Sequence, residues 1–194
     1  MSVFAADDRD RLLEIARRAL EARVRRERDP VPATGGALDI RCGAFVSIHR
    51  GDELRGCLGR IEADWEVARV VSHLARAVAD SDPRFPPVSV DELPRLSIEL
   101  SLLAPAEELA ITDIEIGRHG LIVELGRARG LLLPQVAAAQ AWDVETFLIH
   151  TCLKAALPPD AWRNGARVLM FEADVFGEEP ERHPEITGRT PARL

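Results

Sequence analysis

The sequence predicts an α+β fold, a mainly antiparallel sheet flanked by helices. Three observations carry that expectation. Two pairs of strand-like segments turn back on themselves at glycine-bearing reversals, around Arg50-Gly51-Asp52 and around Gly126-Arg127-Ala128-Arg129, the pattern of antiparallel hairpins. Two further segments, near 96–102 and 167–176, alternate apolar residues with period two. The remaining apolar runs repeat at helical spacing, and neither a GxGxxG run nor a P-loop occurs.

The first helix spans Asp8 to Arg28. Leu12, Leu13, Ile15, Ala16, Ala19, Leu20 and Val24 form its apolar stripe, with acidic residues at its start and arginines at its end, as the helix dipole favours. Pro30 and Pro32 are expected to end it. Strand Ala44 to His49 puts Ala44, Val46 and Ile48 on one face and Phe45, Ser47 and His49 on the other. Its partner carries Glu53-Leu54-Arg55-Gly56-Cys57-Leu58-Gly59-Arg60. Register decides where Cys57 points. A two-residue loop sets Leu54 beside His49 and buries Arg55 against Ile48, which is costly. A three-residue loop pairs Ile48 with Leu54 and Val46 with Gly56. The second is expected, with Leu54 and Leu58 on the apolar face and Arg55 beside Cys57 on the other.

Asp64 is the expected N-cap of a helix running through Val67, Val70, Val71, Leu74, Ala75 and Val78. Asp82-Pro83-Arg84-Phe85-Pro86-Pro87 follows as a rigid, extended loop. Leu96, Ile98, Leu100 and Leu102 alternate with Ser97, Glu99 and Ser101, predicting a strand with one wet face. Gly117-Arg118-His119-Gly120 reads as a turn before the strand Leu121 to Leu125. Pro134 opens a short helix through Ala139. Asp143 caps another, with Val144, Phe147, Leu148, Thr151, Cys152 and Ala155 inward. The last long strand runs from Arg167 to Phe176.

The 194 residues suit one domain over 1–180, with a loose C-terminal tail at 181–194. The net charge of −7 disfavours nucleic-acid binding. Three cysteines without CxxC spacing argue against a disulfide framework or a zinc knuckle, and no first-shell metal spacing such as HExxH occurs. No apolar run approaches the ~18 residues of a membrane span, and the N-terminus lacks signal-peptide features. A reduced, cytoplasmic protein without membrane or cofactor is the expectation.

Several motifs together resemble the AMMECR domain family, whose prokaryotic members include protein A of the AmmeMemoRadiSam system. They are Leu54-Arg55-Gly56-Cys57-Leu58-Gly59, Asp82-Pro83-Arg84-Phe85-Pro86-Pro87, Ile116-Gly117-Arg118-His119-Gly120-Leu121-Ile122-Val123, Gly130-Leu131-Leu132-Leu133-Pro134-Gln135-Val136, and Phe147-Leu148 with Thr151-Cys152 and Lys154-Ala155. They cover residues 12–177 in family order. Many relatives carry isoleucine at Leu58 and glycine at Ala156. The resemblance implies a sheet flanked by helices with a smaller subdomain, and a cleft near the Leu-Arg-Gly-Cys motif. It implies association with Memo-like and radical SAM proteins, and no established reaction.

Cys57 is the candidate nucleophile and His119 a candidate base. Arg55 and Arg84, with Gly56, Gly59 and Asp82, are the candidate cleft residues for an anionic small molecule. A free thiol is only ~3% ionised at neutral pH. Arg55 at roughly 6–7 Å lowers its pKa by only about half a unit, so Arg55 alone does not activate it. The competing reading is an adaptor in which Cys57 is structural, Arg55 pairs with Glu99 or another carboxylate, and the glycines serve packing or a bulge.

Overall fold

The computed structural model describes residues 4–108 and 110–178. The 181–194 segment expected as a tail lies outside these residues. Six strands, β1 (Ala44–Arg50), β2 (Glu53–Arg60), β3 (Leu96–Leu103), β4 (His119–Leu125), β5 (Ala128–Leu132) and β6 (Arg167–Gly177), form one curled sheet in the order β2-β1-β3-β6-β4-β5. Every pairing is antiparallel. Among the described residues four α-helices flank it: α1 (Ala6–Arg25), α2 (Val67–Ala77), α3 (Pro134–Ala139) and α4 (Val144–Lys154). The α+β expectation holds.

β6 is shared. Its residues Arg167 to Glu172 pair with β4, and Ala173 to Gly177 pair with β3. α1 and α2 pack on the Val46–Ile48 face of the β1–β3 end and bury Leu12, Leu20, Val70 and Leu100. α4 packs on the β4–β5 end and buries Phe147, Leu148, Leu121 and Met170. A third apolar cluster, with Leu103, Ile122, Leu131, Leu133 and Phe171, lies on the opposite face, and Phe45 and Ile61 pack against it.

Local chemistry accounts for most element boundaries. Asp143 accepts the Thr146 N–H at 2.8 Å and starts α4, as expected. Pro134 stands at the first position of α3. Other boundaries differ from expectation. α1 stops at Arg26, in the left-handed region at φ 59° with its N–H bonded back into the last turn, so a Schellman-type reversal precedes the prolines. Asp64 does not cap α2: its carboxylate holds Arg60 at 2.6 Å, and Glu66 occupies the cap. The face of β3 expected to be wet dries out toward Ser101 and Leu103 because the third cluster covers it.

Candidate functional site

The site begins with the turn. Gly51, at φ 60°, leads a two-residue reversal and lets Arg50 pair with Glu53, as two-residue hairpins prefer. The register then slips: His49 faces Leu54, but Ile48 faces Gly56. Arg55 is the extra residue of a β-bulge. The expected pairing of Ile48 with Leu54 and Val46 with Gly56 is therefore wrong. Leu54 is 40% exposed and does not join the apolar face, whereas Leu58 faces Val46 and does. The bulge removes the conflict that had favoured a longer loop, because Arg55 escapes Ile48 without a third turn residue.

Arg55 turns to Glu92, with Nε at 2.8 Å from Oε1, and donates to the Pro86 carbonyl at 2.9 Å. Its partner is thus Glu92, not Glu99. This pair holds the Glu92 carboxyl down at about 2. Gly56 takes the place against Ile48. A Cβ there would lie 3.0 Å from Val78 Cγ2 and 3.2 Å from Ile48 Cγ1, so Gly56 lets the end of α2 sit on the strand. At Gly59 a Cβ would stand 2.2 Å from the Phe45 ring. That ring covers the glycine across the strand pair, as aromatics do for sheet glycines. At both glycines a larger residue would press on a neighbouring side chain.

The Asp82 loop is bent as well as rigid. The Phe85 N–H reaches the Asp82 carbonyl at 3.1 Å, closing a turn with Pro83 at its second position. Asp82, 4% exposed, accepts from the Cys57 N–H at 2.9 Å, the Arg84 N–H at 3.1 Å and the Arg84 guanidinium at 2.7 Å. Arg84 in turn donates to the Cys57 carbonyl at 3.2 Å. These bonds hold the Asp82 carboxyl well below the usual carboxylate range, the Arg84 guanidinium first among them. β2 is an outer strand of the sheet, and the loop occupies backbone groups that would otherwise recruit another strand.

With its N–H and C=O both turned outward, Cys57 meets Ser47 as a non-hydrogen-bonded pair, the closer antiparallel spacing. The two side chains lie next to each other on one face of the strand pair. Ser47 in turn faces Glu99 on β3. One row on, Phe45 faces Ser101, whose Oγ accepts from Gln135 Nε2 of α3 at 3.2 Å. Ser47 and Ser101 are buried, and Gln135 Oε1 is shut off from water and has no hydrogen-bond partner among the described residues. Burial pushes the Cys57 thiol up, against smaller opposing effects of Ser47 and Arg84. At neutral pH it is a neutral thiol.

The structure brings Cys57, Asp82 and Arg84 together and keeps Arg55 close by on the Pro86–Glu92 segment. His119 is elsewhere. It is the first residue of β4 rather than a turn residue, because Gly120 lies under the Phe171 ring and continues the strand. It is buried, and its Nδ1 accepts the Glu115 N–H at 3.0 Å. Three strands separate β4 from β2. Both candidate anion contacts are already neutralised by carboxylates. Sequence reasoning gave no site role to Ser101, Gln135 or Glu92. The alternation Ser97-Glu99-Ser101 was the signal for the first; the others meet the site only through tertiary contacts.

Fold and site define an α+β protein whose curled antiparallel sheet carries a partly buried polar row around a strand cysteine. The family model described as AMMECR1 matches residues 13–176, and the chain belongs to that family. It is 43% identical over 154 residues to Protein MJ0810 of Methanocaldococcus jannaschii, covering 74% of this chain and 76% of that one. It is 41% identical over 179 residues to Protein Mbar_A1807 of Methanosarcina barkeri, covering 86% and 88%. The crystal structure of the uncharacterised protein PH0010 from Pyrococcus horikoshii superimposes with a TM-score of 0.81 at 39% identity, covering 89% of this chain and 92% of that one. Among the described residues no helix is long and apolar enough to cross a membrane.

Proposed function

We propose that this protein is a small-molecule-binding component that works beside Memo-like and radical SAM proteins, with its site on the sheet face around Cys57. The observation that carries the reading is the polar row Cys57–Ser47–Glu99, continued by Ser101 and Gln135, in which the two serines are buried and the other three side chains half-buried. Apolar packing would suit this face better, and buried polar groups with spare bonding capacity cost stability. Their presence on three adjacent strands is what a binding surface requires and a plain core does not. The neutral thiol is a lining group in the resting protein, not a standing nucleophile.

The partner assignment rests on the family resemblance. The adaptor reading, in which Cys57 is structural, draws on a specific observation: both backbone groups of Cys57 are bonded to the Asp82 loop. Amide-resolved NMR with a neutral polar fragment library separates the two. Binding predicts that hits shift the amides of Ser47, Cys57, Glu99, Ser101 and Gln135 together. Hits scattered over the surface, or none on this face, would overturn it in favour of the adaptor. Pull-down from native extract should recover a Memo-like or radical SAM protein. Recovery of neither counts against the partner assignment.

A further inference from the structure

Gly177 faces Glu99, and Glu172, five residues earlier on β6, faces His119. An odd spacing along a strand puts the two on opposite faces of the sheet. His119 therefore looks away from the Cys57 row, into a cavity of about 230 Å³ walled by Pro105, Glu107, Met170 and Glu172. The ring is buried, at 8% exposed. Its Nδ1 accepts the Glu115 N–H at 3.0 Å, which fixes the proton of the neutral imidazole on Nε2. Nε2 has no hydrogen-bond partner among the described residues and, unlike His49 Nε2, is not shut off from water. A donor held this way in a cavity wall offers one preset hydrogen bond to whatever enters. Glu107 supplies a second polar group. Both of its backbone groups bond to Met170, each at 2.8 Å, so its exposed carboxylate starts from a fixed point at the rim. It has no ion pair among the described residues, whereas Glu172 is committed to Arg118 at 2.9 Å. A neighbouring cavity of about 380 Å³ shares Ala104, Pro105 and Glu172 with the first and is lined on its far side by Phe4, Ile40, Cys42 and Leu102.

We infer that this pair of cavities takes an amphipathic carboxamide. Its carbonyl accepts from His119 Nε2, its N–H groups face the Glu107 carboxylate, and its apolar substituent fills the larger cavity. A carboxylate head meets the same donor but is repelled by Glu107. An ammonium head has no lone pair to offer Nε2–H. His119 acts here as a fixed donor and not as the base expected from sequence. The inference concerns the face opposite Cys57 and does not rest on the binding role proposed above.

Hexanamide, hexanoate and hexylamine are titrated into the isotope-labelled protein and followed by amide-resolved NMR. Hexanamide should shift the amides of Glu107, His119, Met170 and Glu172 together and bind about fivefold more tightly than hexanoate. Hexylamine should bind more weakly than hexanamide. His119→Phe keeps the bulk of the ring, removes the donor, and should weaken hexanamide about tenfold. Glu107→Gln, at an exposed position, should bring hexanoate to within about twofold of hexanamide. His119→Phe also frees the Glu115 N–H, so the wild-type protein supplies the deciding measurement. In long-range proton–nitrogen spectra of its imidazoles, hexanamide should move the His119 Nε2 resonance and leave Nδ1 in place. His119 nitrogens that stay unmoved, or hexanoate or hexylamine binding as tightly as the amide, would overturn the inference. Shifts confined to the Cys57 face would overturn it too, while leaving the proposed function standing.

Discussion

Asp82 should matter for stability far more than the arginine it pairs with. Asp82→Ala removes a carboxylate that receives two backbone N–H groups, from Cys57 and from Arg84 itself. Each bond to a charged acceptor contributes roughly 1.5 kcal/mol at the low end of its range, so the loss is about 3 kcal/mol. The ion pair adds little, because the Arg84 side chain is 56% exposed and water takes over its hydrogen bonds. Arg84→Ala should therefore cost about 1 kcal/mol or less. Urea unfolding followed by circular dichroism reads both. With a slope of roughly 2 kcal/mol per M, the midpoint should fall by about 1.5 M for Asp82→Ala and by no more than about 0.5 M for Arg84→Ala. Asp82→Ala should also aggregate at lower protein concentration, because the edge of β2 opens. The reasoning fails if the two substitutions cost the same, which would reduce Asp82 to a partner of Arg84.

Four further outcomes are expected. Ala156 follows α4 at φ 56°, so Ala156→Gly should stabilise by about 0.5–1 kcal/mol, read as a rise in Tm. Gly59→Ala should cost about 1–3 kcal/mol, because the half-buried Phe45 ring can turn aside. Gly130→Ala should cost more, since its Cβ would lie 2.3 Å from the Ala155 backbone nitrogen; thermal melts that rank the two the other way would contradict this. Glu92 titrates at about 2 when folded and near ~4.3 when unfolded. Its contribution is thus complete above the ordinary carboxylate range and is lost as pH falls toward 2. Arg55→Met should flatten that acid limb of the Tm profile. Iodoacetamide should label Cys57 with a rate still climbing beyond the ordinary thiol range near ~8.5; a plateau below about 8 would mean that the thiol is activated after all.

What could be read ahead depended on how local the cause was. The α4 cap at Asp143, the α3 start at Pro134 and the inward stripe through Phe147 and Cys152 are written within a few residues of one another. The family motifs were equally legible. The bulge at Arg55 was not. The clash between Arg55 and Ile48 was visible, but turn length and a bulge relieve it equally well, and only the packing of Val78 on Gly56 selects the bulge. His119 was misplaced for the same kind of reason. Flanking glycines read as a turn, yet Gly120 is a strand residue roofed by Phe171, which lies some fifty positions on. The partners of Arg55 and Cys57, Glu92 and Asp82, come from a connection whose path depends on α2. Charge complementarity was foreseeable there, but the pairing was not.

β6 carries a last consequence. One unbroken strand serves as the neighbour of β3 along one stretch and of β4 along the next. The polar row therefore rests on a backbone ladder, β2 to β1 to β3 to β6, with every side chain but that of Gln135 aimed from a strand. Such a surface is rigid before anything arrives. A visitor would find its contacts already in place and would lose little to ordering the host, so discrimination here would follow from fixed shape and charge instead of closure around the guest.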